Sequence, residues 1–268
     1  MRKVLITGSS GFLGRHVVTE LLRYDDIQVT EVSHNSLFTE NFSDIDTVIH
    51  CAFPRSNDAR VLAEALDFTE RSISHFEKMG VASVINISSQ GVYQRLDEAH
   101  LSSEDSPILP MDMYSMVKYA TEKMFALSSV PSVTNIRLAS LMMPQRFLHL
   151  FVSKVKNGEK FTVTAPNQYA ALLDVNDAAR GLLAVANLPY HRRATVYNLG
   201  IDTHYSLLEY AESVKTIGRS LGYSADFNVA DNGTNVCAGM DCTMLMNATG
   251  WKPLMSKDEI IKKLFKEI

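Results

Sequence analysis

Lys3-Val4-Leu5-Ile6-Thr7 is a short apolar run that leads directly into Gly8-Ser9-Ser10-Gly11-Phe12-Leu13-Gly14, with its glycines three residues apart. His16-Val17-Val18-Thr19-Glu20-Leu21-Leu22 follows with apolar positions at helical spacing. That order leaves few folds open. A buried parallel strand ends, the chain turns tightly, and a helix begins with its free N–H groups and positive dipole end facing the turn. Such a helix start binds a pyrophosphate. Gly8 permits the turn, Gly11 lets the diphosphate approach, and Gly14 allows helix to pack on strand. Three glycines alone are a weak signal, but here the flanking strand and helix supply the context the motif requires.

Bulk properties narrow the class further. A chain of 268 residues with 46% hydrophobic content can bury one large core, or one core and a small lobe. The net charge of −4 offers no basic surface, so nucleic acid is not an expected partner. No apolar run reaches spanning length, and the first strand begins by Lys3, which leads us to expect a cytoplasmic protein with no membrane partner. Cys51, Cys237 and Cys242 have neither disulfide-set nor zinc-knuckle spacing, and the eight histidines show no paired-ligand spacing, so no metal site is expected.

Strand-like and helix-like segments alternate, which predicts an α/β protein with a doubly wound parallel sheet. After the first unit, strands are expected at Ile27–Val32, in abbreviated form within 36–43, and at Thr47–Ala52, Ser83–Ile87, Thr134–Leu138 and Thr195–Leu199. Leu62, Leu66, Phe68, Ile73 and Phe76 give 58–79 the apolar stripe of a helix. Residues 94–112, polar and carrying Pro107 and Pro110, read as a long loop, and 114–127 as a helix. The expected division is a nucleotide-binding domain over 1–140, with return elements near 176–200, and a smaller interleaved lobe over 141–268.

Three features fall at the carboxyl ends of expected strands, where open α/β sheets bind ligands. They are the glycine turn, Ser88-Ser89-Gln90-Gly91 after the Ser83–Ile87 strand, and Tyr114-Ser115-Met116-Val117-Lys118 at a helix start. Tyr114 and Lys118 share a helix face, so the ammonium is expected to lower the phenol pKa toward neutral. A serine hydroxyl can then hold a substrate oxygen while the phenol exchanges a proton with it. Tyr119 and Lys123 repeat the spacing on another face, and only one register can serve.

Taken together, these motifs resemble the extended short-chain dehydrogenase/reductases of the NAD-dependent epimerase/dehydratase family. The similarity includes Asp46–Ala52, the stretch from Glu104-Asp105-Ser106-Pro107 to Tyr114, Lys118 and Glu122, and weaker echoes in Asp174-Val175-Asn176-Asp177, Tyr197-Asn198-Leu199-Gly200 and Thr249-Gly250-Trp251-Lys252-Pro253. It implies a Rossmann-type fold with a small C-terminal substrate lobe, and a catalytic set of Ser89, Tyr114 and Lys118. Tyr114 would be the general acid/base, with Lys118 tuning it and holding the nicotinamide ribose. The implied contacts to NAD(P)(H) are Gly8, Gly11, Phe12, Leu13, Gly14, Ser33, His34, Ala52, Phe53, Arg55, Tyr114 and Lys118. Ser89, Ser140 and Arg146 are the implied substrate contacts, and the family's mode of pairing implies a homodimer.

Departures from the family pattern restrict the expectation. Strand two ends in Val32-Ser33-His34 rather than in an acid that grips a ribose diol, which tilts the cofactor modestly toward NADP(H). Ser89-Gln90-Gly91 lacks the two acids of sugar 4,6-dehydratases, which disfavours dehydration. The arginine expected before Asp174-Val175 is absent, so a nucleotide-sugar clamp would need Arg55 or Arg146 instead. The expected activity is NAD(P)-dependent oxidoreduction or epimerisation of a small hydroxyl or ketone substrate, such as a sugar or nucleotide-sugar. The alternatives are an NADPH-dependent ketone or aldehyde reductase of a non-nucleotide substrate and a non-catalytic cofactor sensor.

Overall fold

Strands β1 (Arg2–Thr7), β2 (Ile27–Val32), β3 (Thr47–His50), β4 (Ser83–Ser89), β5 (Ser132–Leu138) and β6 (Val196–Leu199) form one sheet in the order β6-β5-β4-β3-β1-β2. Every pairing in it is parallel. The computed structural model describes residues 1–34, 36–40, 42–95, 100–144, 146–233 and 237–268. β3 is buried throughout and β4 almost so, which is why neither alternates between apolar and polar residues, although both carry buried polar side chains such as His50 and Asn86.

Helices cover both faces, named α1 (Phe12–Leu21), α2 (Ser36–Thr39), α3 (Ala59–Lys78), α4 (Met113–Ala126), α5 (Phe147–Lys156), α6 (Val175–Asn187), α7 (Leu207–Ser220), α8 (Thr243–Thr249) and α9 (Lys257–Glu267). On one face Val17, Val18 and Leu21 of α1 pack with Ala178, Leu182 and Val185 of α6. On the other, Phe68, Ile73 and Phe76 of α3 meet Phe125 of α4 over Leu5, Val48 and Val84. A further cluster joins Leu148 and Phe151 of α5 to Tyr210 and Val214 of α7 and Ile261 and Leu264 of α9. Asp58 starts α3 by accepting from the N–H groups of Arg60 (2.8 Å) and Val61 (3.3 Å). A cap of this kind contributes about 1 kcal/mol.

Three local expectations need correction. The abbreviated strand within 36–43 is absent among the described residues, and the chain forms the single turn α2 there. Ser33 and Ser36 bond reciprocally, each side chain accepting from the other's backbone N–H (3.1 and 2.9 Å), and Leu37 alone is fully buried. Reciprocal caps of this kind favour a helical turn over a sheet ladder. The strand expected to reach Ala52 ends at His50, because Phe53 N–H turns back to the Cys51 carbonyl at 2.9 Å. The 94–112 segment is not wholly loop, since Leu101–Ser102 pairs in parallel with Gly239–Met240. Residues 96–99 lie outside the described residues.

Candidate active site

The order of the strands reverses between β1 and β3, and a cavity of about 520 Å³ opens beside that point. Its floor is the glycine turn. Gly8 has φ +67°, and a Cβ there would stand 2.8 Å from the backbone of Ala52. A Cβ on Gly14 would collide with the Gly8 carbonyl. The turn is therefore closed by backbone on backbone, and only glycine fits. Gly11 begins α1 with no side-chain cap and no acid in the first turn, so the leading N–H groups, Phe12 and Leu13 among them, are left for a ligand. Phe12 and Leu13 line the cavity.

Ser89 ends β4 and starts the short 3-10 turn Gln90–Val92, where its Oγ accepts from the Gly91 N–H at 3.0 Å and keeps its own proton free to donate. Gly91 has to be glycine, because a Cβ would run into the Ser115 hydroxyl of α4. Tyr114 lies in the first turn of α4. Asp112 caps that turn by accepting from Ser115 N–H (2.8 Å), and Asn57 Oδ1 accepts from Tyr114 N–H (2.9 Å). The Phe53 ring meets Tyr114 edge-on, 6.0 Å between centroids, and the Lys118 Nζ lies 4.0 Å from the Phe53 centroid. Ser89, Tyr114, Lys118, Ser140, Arg55 and Arg146 all line this one cavity with Gly8, Gly11 and Gly14. Tyr119 does not line it. It packs into the core beside β4, with exposed Lys123 4.9 Å from its ring centroid.

Not every expected contact is brought together. Ser33 and His34 are exposed at the end of β2 and do not line the cavity, and His34 stacks on Phe68 with centroids 4.2 Å apart. Ala52 supports the glycine turn from behind, its N–H pointing at Thr7 Oγ1 (3.4 Å), and is also absent from the lining. Asn57, Gln90, Arg95 and Asp112 do line it; Gln90 stands in the serine motif, Asp112 carries the signal of a helix cap three residues before Ser115, and Asn57 and Arg95 have no local signal.

The electrostatics correct one expectation. Tyr114 is pushed up from the ordinary phenol value rather than down, because burial outweighs the nearby cations. The cations acting on it are those of Arg55 and Arg146, while the Asp112 carboxylate opposes them. Lys118 is itself pulled down to about 7 by burial, with Glu122 and Cys51 only partly offsetting this. Its buried neighbours are neutral, for His50 is pulled down to about 3 and Cys51 pushed up to about 12, both chiefly by burial. The site thus holds a protonated phenol and a lysine near its titration point.

A glycine cradle that a Cβ would fill, bare helix N–H groups and a buried lysine beside a tyrosine fit a dinucleotide. The sequence from residue 4 to residue 200 matches the model of the NAD dependent epimerase/dehydratase family. UDP-glucuronic acid decarboxylase 1 of Danio rerio is 24% identical, over 98% of this chain and 71% of the relative. Among solved structures, MoeE5 in complex with UDP-glucose and NAD superposes with a TM-score of 0.80 at 22% identity, covering 98% of this chain and 97% of that one. TunA, an NAD dependent NDP-hexosamine 5,6-dehydratase, gives a TM-score of 0.81 at 19% identity, covering 99% and 97%. At such identities the superpositions establish the fold.

Proposed function

The chain belongs to the NAD-dependent epimerase/dehydratase family, and from that premise we propose that it moves hydride between a nicotinamide cofactor and a carbinol or ketone carbon of a small hydroxylated substrate, a sugar or nucleotide-sugar. The observation that carries this reading is the convergence of Ser89, Tyr114 and Lys118 on one cavity with the glycine turn. When bound, the cofactor supplies or accepts the hydride. Gly8, Gly11, Phe12, Leu13 and Gly14 would hold its pyrophosphate, and Lys118 its nicotinamide ribose. The Ser89 hydroxyl donates to the substrate oxygen, and Tyr114 exchanges a proton with that same oxygen. With its pKa raised, Tyr114 is poised as the acid for ketone reduction. A ketone that stays bound and is reduced on its other face gives an epimer, and one that leaves gives net redox.

Finer assignments rest on this proposal. A dehydratase shares the fold, so disfavouring 4,6-dehydration rests only on Gln90 and Gly91 standing where the dehydratases have acids. A modest preference for NADP(H) rests on the lack of an acid at Ser33 and His34, and titration of both reduced cofactors by fluorescence tests it. A hundred-fold preference for NADH would defeat it. We also propose a homodimer formed through α3 and α4.

The central test is Tyr114→Phe, expected to keep cofactor binding and lower turnover on the order of 10²–10⁴-fold, the usual worth of a general acid/base. Tyr119→Phe should leave turnover within a few-fold. Exchange of these two behaviours would move the chemistry to the other register. A protein that binds cofactor and catalyses no hydride transfer would be a sensor instead.

A further inference from the structure

A second cavity, of about 300 Å³, has Phe12 and Met143 in common with the first, while Ser89, Tyr114 and Lys118 do not line it. Residues of α1, α5, α6 and α9 all contribute to it. Met142, Val175, Ile260 and Leu264 are buried core residues that face this space, so most of its wall is apolar.

The buried charge in that wall is already balanced. Lys263 Nζ lies 2.6 Å from Asp174 Oδ2, and Asp174 Oδ1 caps α6 by accepting from the Asn176 N–H at 2.8 Å. Arg15 and Glu267, the other charged side chains of the lining, are exposed to solvent.

Two imidazoles in the lining are less complete. His16 Nδ1 lies 2.7 Å from the Phe12 carbonyl, which can only accept, so that nitrogen carries the hydrogen. In the neutral ring Nε2 is then left as an acceptor. His149 Nδ1 is buried and has no hydrogen-bond partner among the described residues. A buried polar atom is costly unless water or a ligand completes it. Water alone fills this space poorly, because most of the wall offers it no partner.

We infer that this cavity is a second ligand site, taking a small uncharged planar ring that carries a hydrogen-bond donor. The ring lies against Met142 and Met143, whose thioethers favour aromatic contacts, and its donor meets an imidazole nitrogen. The volume is at the small end of ligand pockets and admits a single or fused ring rather than a dinucleotide. Phe12 also begins the helix whose N–H groups face the first cavity. Occupancy therefore fixes that helix start and strengthens dinucleotide binding, and by reciprocity the dinucleotide strengthens ring binding equally.

The test uses the full chain, isotope-labelled at the methionine methyl groups, and three probes: indole, N-methylindole and indole-3-carboxylate. Indole should shift the Met142 and Met143 methyl signals and leave in place those of Met111 and Met116, which line neither cavity. Met142 lines the second cavity and not the first, so its shift separates the two sites. N-methylindole has more apolar surface but no donor, and should bind about five-fold more weakly for want of one neutral hydrogen bond. His149→Phe should lose indole binding, whereas His149→Asn, which keeps a polar atom near the Nδ1 position, should retain part of it. NADH, titrated by fluorescence, should bind at least about two-fold tighter when indole is saturating.

Absence of a Met142 shift with every probe at millimolar concentration overturns the site and leaves the space to water. Tighter binding of the carboxylate than of indole overturns the uncharged class, and equal binding of N-methylindole overturns the hydrogen bond. Ring binding that leaves NADH affinity unchanged overturns the link through Phe12. The methyl shifts need no cofactor, so they stand or fall apart from the oxidoreductase reading.

Discussion

His50 shows how a single side chain sets the conditions under which the site exists. It lies at the end of β3, with Nδ1 2.9 Å from the Thr7 hydroxyl and Nε2 buried without a partner. Held to about 3 by burial and by Lys118, it is uncharged at neutral pH. The unfolded chain takes up the proton near 6.5, so the native state binds fewer protons between the two values. The stability this contributes is complete above pH 6.5 and is lost as pH falls toward 3, by up to ~1.4 kcal/mol per pH unit. Lys118 has the same sign in a higher window, its contribution being lost as pH falls from 10.5 to about 7. Urea unfolding of the native protein and His50→Asn between pH 7 and 4 should therefore give a shallower pH slope for the variant. Equal slopes would assign the acid sensitivity to other groups.

At the scale of elements, α4 is fixed by polar contacts as well as by packing. Glu122, one turn beyond Lys118, is buried and accepts from Ser88 Oγ (2.5 Å) and from Arg137 Nε and NH2 (3.1 and 3.0 Å). Arg137 on β5 also donates to Tyr93 Oη and to the Glu104 carbonyl, both at 3.0 Å. Tyr93 in turn donates to Asn198 Oδ1 on β6 (2.6 Å). One network therefore joins α4, the three strands β4, β5 and β6, and the segment after Ser89. Glu122→Gln or Arg137→Met alone strands a buried charge and should cost about 3–5 kcal/mol in chemical denaturation. The double variant should recover more than half of that, and strict additivity would show that the two do not act as a pair.

This scale also marks the limit of what sequence conveys. β1, its glycine turn and α1 were legible because their signals are local, in period, glycine spacing and cap. Ser89, Tyr114 and Lys118 were singled out by motif, and the structure places them on one cavity. The Glu122–Arg137–Tyr93–Asn198 chain joins residues far apart in sequence, and no local pattern announces such partners. Tyr114 shows the same gap in energetic form. Its spacing from Lys118 is visible in the sequence, while the burial that dominates its proton affinity is not.

For the whole molecule, the sheet is closed on both faces by helices, and α3 and α4 lie side by side on one of them. Met116 of α4 and Leu127 at its end remain more than half exposed, apolar surface that a second α3–α4 pair would cover. Light scattering should give a mass near twice the 29.9 kDa of one chain. A mass equal to one chain at every concentration would remove the dimer.

The order of strands has a consequence for synthesis on the ribosome. β5 pairs on one side with β4, already made, and on the other with β6, which begins at Val196. Leu199 on β6 and Leu182 on α6 belong to the same core cluster as Ile6 and Ile85 near the start of the chain. At roughly 5–20 residues per second, several seconds pass between the emergence of β5 and that of its second neighbour. Throughout that interval the glycine turn already exists as sequence, but the core beneath it still lacks Leu182 of α6 and Leu199 of β6. The nascent chain therefore depends on late partners to finish an early site, and a stall before Val196 would leave an open strand edge exposed to other chains.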